Sequence, residues 1–192
     1  AAIAVVIAGR GTEILINING TAYLDSPVGL TKNENEFYGL KITGLGRFRT
    51  TLQARHLSGH ALAANRTGAH FSDFTIDSGG ARSSSNYDAA QVGLLLEAPD
   101  IAGKAMADCF VDLRILNQPG DGIRQIGPAQ NNNYSQCIVQ NNKGHGIVID
   151  RGTLSDRVFA ADPGIVNFDT VWSIGNGGHG LVAGNPADAD AN

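Results

Sequence analysis

Short apolar segments alternate with Gly- and Asn-rich turns along the chain, and one such phrase occurs three times. Its copies are LRILNQPGDGI (113–123), CIVQNNKGHGI (137–147) and VWSIGNGGHGL (171–181). Each combines a strand-sized apolar piece, a polar turn and Gly-x-Gly before an aliphatic residue, at steps of 24 and 34 residues. Repeats of this length without a helical period indicate stacked strands. The sequence therefore predicts an all-β fold, a parallel β-helix.

The organisation of the rest of the chain follows from the same pattern. Further short strands are predicted at 13–18, 23–30, 37–42, 51–54, 69–76, 92–96 and 110–116. The opening AAIAVVIAG indicates the end of a short Ala-rich helix closed by Gly9. We expect a single domain over 1–192, with an N-terminal coil at 1–45, stacked coils at 46–185 and a polar tail at 186–192. Because that tail offers no cap, we expect the chain to be part of a longer polypeptide or to be covered by a partner.

Composition excludes several classes of function. A net charge of −4 without a basic stripe argues against nucleic-acid binding, and no apolar run is long enough to cross a membrane. Cys137 falls on the inward column with Leu113, which predicts a small apolar core residue. Because Cys109 lies four residues before that column, we expect no disulfide between the two cysteines.

Side chains alternate between the two faces of a strand. When the repeats are aligned, the positions between the inward residues therefore form columns of outward-facing side chains. Aligning FSDFTID (71–77) with the repeats places Phe74 beside Leu113 and Ile76 beside Ile115. The positions between them then face solvent on successive rungs. One outward column consists of Asp73, Asp112, Gln136 and Thr170, and its neighbour of Thr75, Arg114, Ile138 and Trp172.

These columns supply the candidate catalytic residues Asp73, Asp112 and Arg114. Neighbouring strands lie about 4.8 Å apart, and carboxyl pairs about 5–5.5 Å or 6.5–9.5 Å apart serve retaining or inverting glycosidases. Arg114 could hold an acidic sugar or stabilise an enolate, while Gln136 and Trp172 are the candidate substrate-binding residues. The alternative is that Asp and Arg only decorate a solvated face, with the arginine screening the aspartates.

Three residues precede the second glycine of the three phrases: Asp121, His145 and His179. Such a line could bind a metal ion or act as acid and base. We favour turn residues whose side chains satisfy local backbone groups. Asn117 and Asn141 also align, which predicts a structural Asn ladder in a turn.

Two apparent motifs are rejected. The GNGGHG at 175–180 satisfies GxGxxG, but a dinucleotide site needs this motif at the start of a helix, and the repeat already explains the glycines. The HLSGH at 56–60 lacks the glutamate of HExxH and contains a glycine that disfavours a helix.

The N-terminal third carries a family resemblance. It contains Gly11, Gly20-Thr21-Ala22-Tyr23, Leu40, Ile42, Gly44, Gly46 and Thr50 or Thr51. This resembles the first coil of right-handed, single-stranded parallel β-helices of the pectate-lyase-like superfamily, which includes bacteriophage tailspikes. Ala22 departs from the pattern by separating Thr21 from Tyr23.

The resemblance implies a tailspike-type protein of the phage virion, or an extracellular one. Such tailspikes are typically homotrimers that assemble with other virion proteins, bind bacterial surface polysaccharide and often cut it. The alternatives are a non-catalytic adhesive β-helix and a secreted polysaccharide lyase. No cofactor is expected, except Ca²⁺ if the protein is a lyase.

Overall fold

The structure is a computed structural model that describes nine segments of the chain. These are residues 4–8, 11–30, 40–56, 59–64, 68–79, 91–97, 108–127, 132–150 and 166–184. The described secondary structure is β only, and none of these segments forms a helix long and apolar enough to cross a membrane.

Nineteen short strands account for the regular structure of these segments. In chain order they are β1 (Ala4–Ala8), β2 (Gly11–Leu15), β3 (Gly20–Leu24), β4 (Val28–Leu30), β5 (Leu40–Thr43), β6 (Thr50–Ala54), β7 (Leu62–Ala64), β8 (His70–Ser72), β9 (Thr75–Asp77), β10 (Leu94–Glu97), β11 (Cys109–Val111), β12 (Arg114–Leu116), β13 (Ile123–Ile126), β14 (Asn132–Ser135), β15 (Ile138–Gln140), β16 (Ile147–Asp150), β17 (Val166–Asp169), β18 (Trp172–Ile174) and β19 (Leu181–Ala183).

The strands form three sheets, and each rung contributes one strand to each sheet. Sheet A has the order β1-β2-β5-β8-β11-β14-β17, sheet B the order β18-β15-β12-β9-β6-β3, and sheet C the order β19-β16-β13-β10-β7-β4. Every pairing is parallel except that of β1 with β2. The predicted all-β architecture of stacked parallel rungs is therefore confirmed, and it is consistent with a parallel β-helix.

The N-terminal helix expected from AAIAVVIAG is not seen. Ala4–Ala8 instead forms β1, which pairs antiparallel with β2. The physical reason lies in Val5, Val6 and Ile7, because β-branched side chains favour extended backbone over helix. Gly9, the expected helix end, lies outside the described residues, as does the tail at 186–192.

The register predicted from the repeats is confirmed. Arg114 pairs with Ile138 and Ile138 with Trp172, while Ile123 pairs with Ile147 and Ile147 with Leu181. The register across the long insertion after β9 is also confirmed, since Ile115 pairs with Ile76.

Other strand predictions were incomplete. The strands expected at 69–76 and 110–116 are each two strands, interrupted at Asp73 and Asp112. The strands β7, β14 and β17 were missed. The sequence of β14 is NNYS, so its inward positions carry polar groups and the apolar alternation is hidden.

The interior is built from columns of like side chains. Phe71, Phe110, Tyr134 and Phe168 stack face to face on successive strands of sheet A, with centroid distances of 5.8, 4.4 and 5.0 Å. The first three rings are fully buried. Cys137 is also fully buried and unpaired, as predicted, and Cys109 is a free, half-buried thiol. Stacked aromatic pairs of this kind contribute about 0.5–1.5 kcal/mol beyond the burial of their area.

The second glycine of the repeated phrase is required by close approach between rungs. A Cβ on Gly122 would lie 2.3 Å from Cγ1 of Val139 and 2.7 Å from the carbonyl oxygen of Gly146. A Cβ on Gly146 would lie 2.5 Å from the carbonyl oxygen of Gly180. The Gly-x-Gly pattern therefore has a structural cause.

A closed polar network occupies the corner between sheets C and A. The Asp108 carboxylate accepts hydrogen bonds from the Ala69 backbone N–H at 2.8 Å and from Nε2 of Gln125 at 2.9 Å. Gln125 Oε1 in turn accepts from Nδ2 of Asn132 and from the Tyr134 hydroxyl. Burial raises the pKa of Asp108 to about 7, against the opposing effect of the two donors.

Candidate functional site

The first predicted column lies at the corner where the chain passes from sheet A to sheet B. Asp73, Asp112, Gln136 and Thr170 all adopt left-handed backbone conformation, with φ of 66°, 51°, 55° and 55°. The N–H groups of Asp73, Asp112 and Gln136 donate to carbonyls of the next rung, which fixes the stack. They are thus corner residues between two strands, not members of a strand as expected. In these four rungs, one left-handed residue lies at the corner where the chain turns from sheet A to sheet B.

The second predicted column lies on the outer face of sheet B. Thr75, Arg114, Ile138 and Trp172 are successive partners on β9, β12, β15 and β18. Thr75 is buried, whereas the Trp172 residue is 58% exposed. The column therefore begins at a buried residue, Thr75, and ends at an exposed aromatic residue, Trp172.

The cover is the β5–β6 loop, residues 44–49, which sequence reasoning missed. The Gly46 N–H donates to the Asp73 carbonyl at 2.8 Å, and the hydroxyl of Thr75 donates to the Arg47 carbonyl. A Cβ on Gly44 would lie 2.2 Å from the Asp73 carbonyl oxygen, so only glycine allows this approach. The loop therefore lies directly against the corner column.

Arg47 extends from this loop across two further rungs. Its guanidinium lies 3.1 Å from Oδ1 of Asp112, and the same Nη1 donates to the Gln136 carbonyl. Its backbone N–H lies 3.5 Å from Oδ2 of Asp112. Both oxygens of Asp112 thus face Arg47, which favours a binding or structural role for Asp112 over catalysis. Arg47, not Arg114, screens this aspartate.

Phe48 projects from the loop into solvent between two arginines. The residue is 72% exposed, and its ring centroid lies 5.1 Å from Cζ of Arg47 and 5.7 Å from Cζ of Arg114. The only sequence signal for Phe48 and Arg47 is the run GRFR between two predicted strands. We define the corner surface as Arg47, Phe48, Asp112, Arg114 and Trp172.

The line of Asp121, His145 and His179 performs turn chemistry, as favoured from the sequence. Oδ1 of Asp121 accepts from the His145 N–H at 2.8 Å, and Nδ1 of His145 accepts from the His179 N–H at 3.0 Å. The two imidazoles stack with centroids 5.5 Å apart. Within the described segments, no group of three or more His, Cys, Asp or Glu side chains is placed to hold a metal ion.

The predicted Asn ladder exists one residue further along each turn. Asn117 and Asn141 do align, but as left-handed residues with φ of 54° and 56°. The hydrogen-bonded ladder is formed by Gln118, Asn142 and Asn176. Oδ1 of Asn142 accepts from the Gln118 N–H at 2.9 Å, and Oδ1 of Asn176 accepts from both the N–H and Nδ2 of Asn142.

The chain was compared with protein-family models, with curated proteins and with solved structures. None of the three comparisons found a match.

Proposed function

We propose that this chain is a tailspike-type virion protein that recognises bacterial surface polysaccharide through the corner surface. The observation that carries the proposal is the combination of two exposed aromatic rings, Phe48 and Trp172, with Arg114 on one face of stacked strands. Aromatic faces pack against the apolar faces of sugar rings, and guanidinium groups bind their polar substituents. Arg114 and Trp172 lie on stacked strands, which keep their backbone in place before the ligand arrives, whereas Phe48 is presented by the β5–β6 loop.

The spacing of the column suits an extended polymer. Arg114 and Trp172 are two rungs apart in one column, which corresponds to about 10 Å. A glycan that contacts both residues runs along the stacking axis, across the rungs. Gln136 lies in the adjacent corner column at the intermediate rung and is available as a polar contact.

The finer features belong to the same proposal. These are a right-handed, single-stranded β-helix, a homotrimer associated with other virion proteins, and a location on the phage tail or outside the cell. They rest on the resemblance of the N-terminal third. A secreted lyase would additionally need Ca²⁺.

Cleavage of the glycan is the part of the proposal that the site supports least. Asp73 and Asp112 are neighbours in the corner column, but Asp112 is ion-paired with Arg47. This ion pair favours the second candidate function, a non-catalytic adhesive β-helix that binds the same class of ligand.

The proposal is tested by measuring binding to a panel of purified bacterial capsular polysaccharides and lipopolysaccharides. Trp172→Ala should weaken binding to the recognised glycan about tenfold or more, because a stacking platform is lost. Tyr23→Ala is the matched control, since Tyr23 is a 49% exposed aromatic residue at the other end of sheet B. Failure of the parent protein to bind any glycan, or equal weakening by both variants, contradicts the proposal.

Release of reducing ends from the bound glycan separates the two candidates. An adhesive protein releases none. If reducing ends appear, Asp112→Asn must abolish their release while binding persists, and unchanged release removes Asp112 from the catalytic role.

A further inference from the structure

Arg114 is a positioned cation whose charge is not used inside the described part of the protein. Its guanidinium lies beside the Phe48 ring, and no carboxylate of the described residues lies within ion-pair distance. Asp112, two residues earlier in the chain, is engaged by Arg47. Asp73, the other acidic residue of the corner column, forms no ion pair with Arg114 within the described segments.

The hydrogen-bonding groups of Arg114 are also unused. Its Nε–H is buried and has no acceptor among the described residues. Its terminal Nη groups bond to no described residue either, and they reach the surface. A desolvated donor without a partner costs free energy. Nε of Arg47 and of Arg124 is in the same state, but both of those arginines are ion-paired with aspartates, and Arg114 is not.

The surroundings of Arg114 offer its guanidinium an aromatic ring but no acceptor among the described residues. Its neighbours in the outer column are Thr75, covered by the β5–β6 loop, and Ile138, which is apolar. The Phe48 ring supports the cation from the loop. A guanidinium without protein partners presents a planar pair of donors, which matches a carboxylate in bidentate geometry.

We propose that Arg114 binds a carboxylate of the glycan, so that the recognised polysaccharide is acidic and contains a uronic acid. The inference rests on the proposed function and specifies its ligand class. Arg47 is less suited to this role, because its Nη1 is occupied by Asp112 and by the Gln136 carbonyl. Phe48 and Trp172 then contact the apolar faces of the sugars on either side of the ion pair.

The carboxylate site is tested without knowledge of the natural glycan. Sodium glucuronate is titrated into the protein, with glucose and sodium chloride at matched ionic strength as references, and the Arg114 side-chain NMR signals are followed. Glucuronate should shift these signals saturably, whereas glucose and chloride should not. A response to glucuronate no larger than that to chloride overturns the inference.

Variants of matched charge locate the site. Arg114→Gln should weaken glucuronate binding at least tenfold, because a charge-assisted bidentate contact is lost. Arg114→Lys should give an intermediate loss, since lysine keeps the charge without the planar pair of donors. Arg124→Gln is the control: Arg124 lies on sheet C and pairs with Asp121 and Asp150. Equal losses in Arg114→Gln and Arg124→Gln overturn the inference, and thermal unfolding verifies that each variant is folded.

The polysaccharide panel separates this inference from the proposed function. If the protein binds neutral glycans and Arg114→Gln leaves that binding unchanged, glycan recognition stands and the inference of an acidic ligand is overturned. Absence of binding to every glycan overturns the recognition itself.

Discussion

Two stacks of polar residues follow the same solenoid, and they use their side chains in opposite ways. In the ladder of Gln118, Asn142 and Asn176, side-chain oxygens accept backbone N–H groups of the preceding rung. In the corner column, Asp73 and Asp112 are half-buried, and Gln136 and Thr170 are exposed. Alignment of polar residues is therefore no evidence of function. What distinguishes the two stacks is how far their side chains remain accessible after folding.

The side chains around Asp108 also satisfy one another's hydrogen bonds. We expect the largest difference in stability between this network and the exposed corner column. Asp108 has a pKa near 7 when folded and an ordinary value of 3.8. The folded state therefore binds more protons than the unfolded state between these values. The free energy of unfolding should fall as pH rises from about 4 to about 7, by an amount on the order of 4 kcal/mol, and then level off.

Urea unfolding across this pH range measures the effect. Asp108→Asn should remove the slope that Asp108 contributes, whereas Asp112→Asn at the open corner should retain it. If the free energy of unfolding depends on pH identically in the parent and in Asp108→Asn, protonation of Asp108 is not the cause of that dependence.

Deletion of one ladder side chain should have the next largest effect. Asn142 is 1% exposed, and Asn142→Ala leaves the Gln118 N–H buried without its acceptor. We expect the free energy of unfolding to fall by about 3 kcal/mol. The control is Asn167→Ala at an exposed position of β17, which should cost less than about 0.5 kcal/mol. Similar midpoints of urea unfolding for both variants would show that a buried, hydrogen-bonded polar side chain contributes no more to stability than an exposed one.

The smallest expected effect is a gain at the corner. Thr170 is β-branched and has a φ of 55°, a conformation that Asn adopts more readily. Thr170→Asn should raise the free energy of unfolding by about 1 kcal/mol. Thr51→Asn, within β6, should lower it, because Asn is disfavoured in strands. Thermal unfolding measures the effect. If Thr170→Asn is less stable than the parent, the left-handed conformation at this corner does not strain Thr170.

The sequence predicted the parts of the molecule that repeat. Every rung must place an apolar residue inward and a glycine where the next rung approaches, so Ile115, Val139 and Gly122 could be aligned without coordinates. The corner conformation was not visible, since Asp, Gln and Thr residues also occur within strands. β14 was hidden because Asn132 and Tyr134 point inward to serve the Asp108 network.

The most informative part of the candidate site lies outside the repeats. Arg47 and Phe48 belong to a loop that crosses rungs far apart in sequence, and its contacts with Asp112 and Arg114 depend on long-range stacking. Periodicity along the chain carries no information about such a contact. Arg114 itself was placed correctly in its column, but its lack of a carboxylate partner among the described residues emerged only with the ion pair between Arg47 and Asp112.

The left-handed corner also has an evolutionary consequence. Its backbone conformation is compatible with Asn, Asp or Gly, whose costs there are small. A corner position can therefore exchange among these residues while the rungs remain stacked, and Gln136 and Thr170 show that other residues are accommodated as well. Selection can then alter the chemistry of this surface, one residue at a time, without a parallel search for compensating core substitutions. Adaptation of the surface and preservation of the scaffold are in this way assigned to different residues.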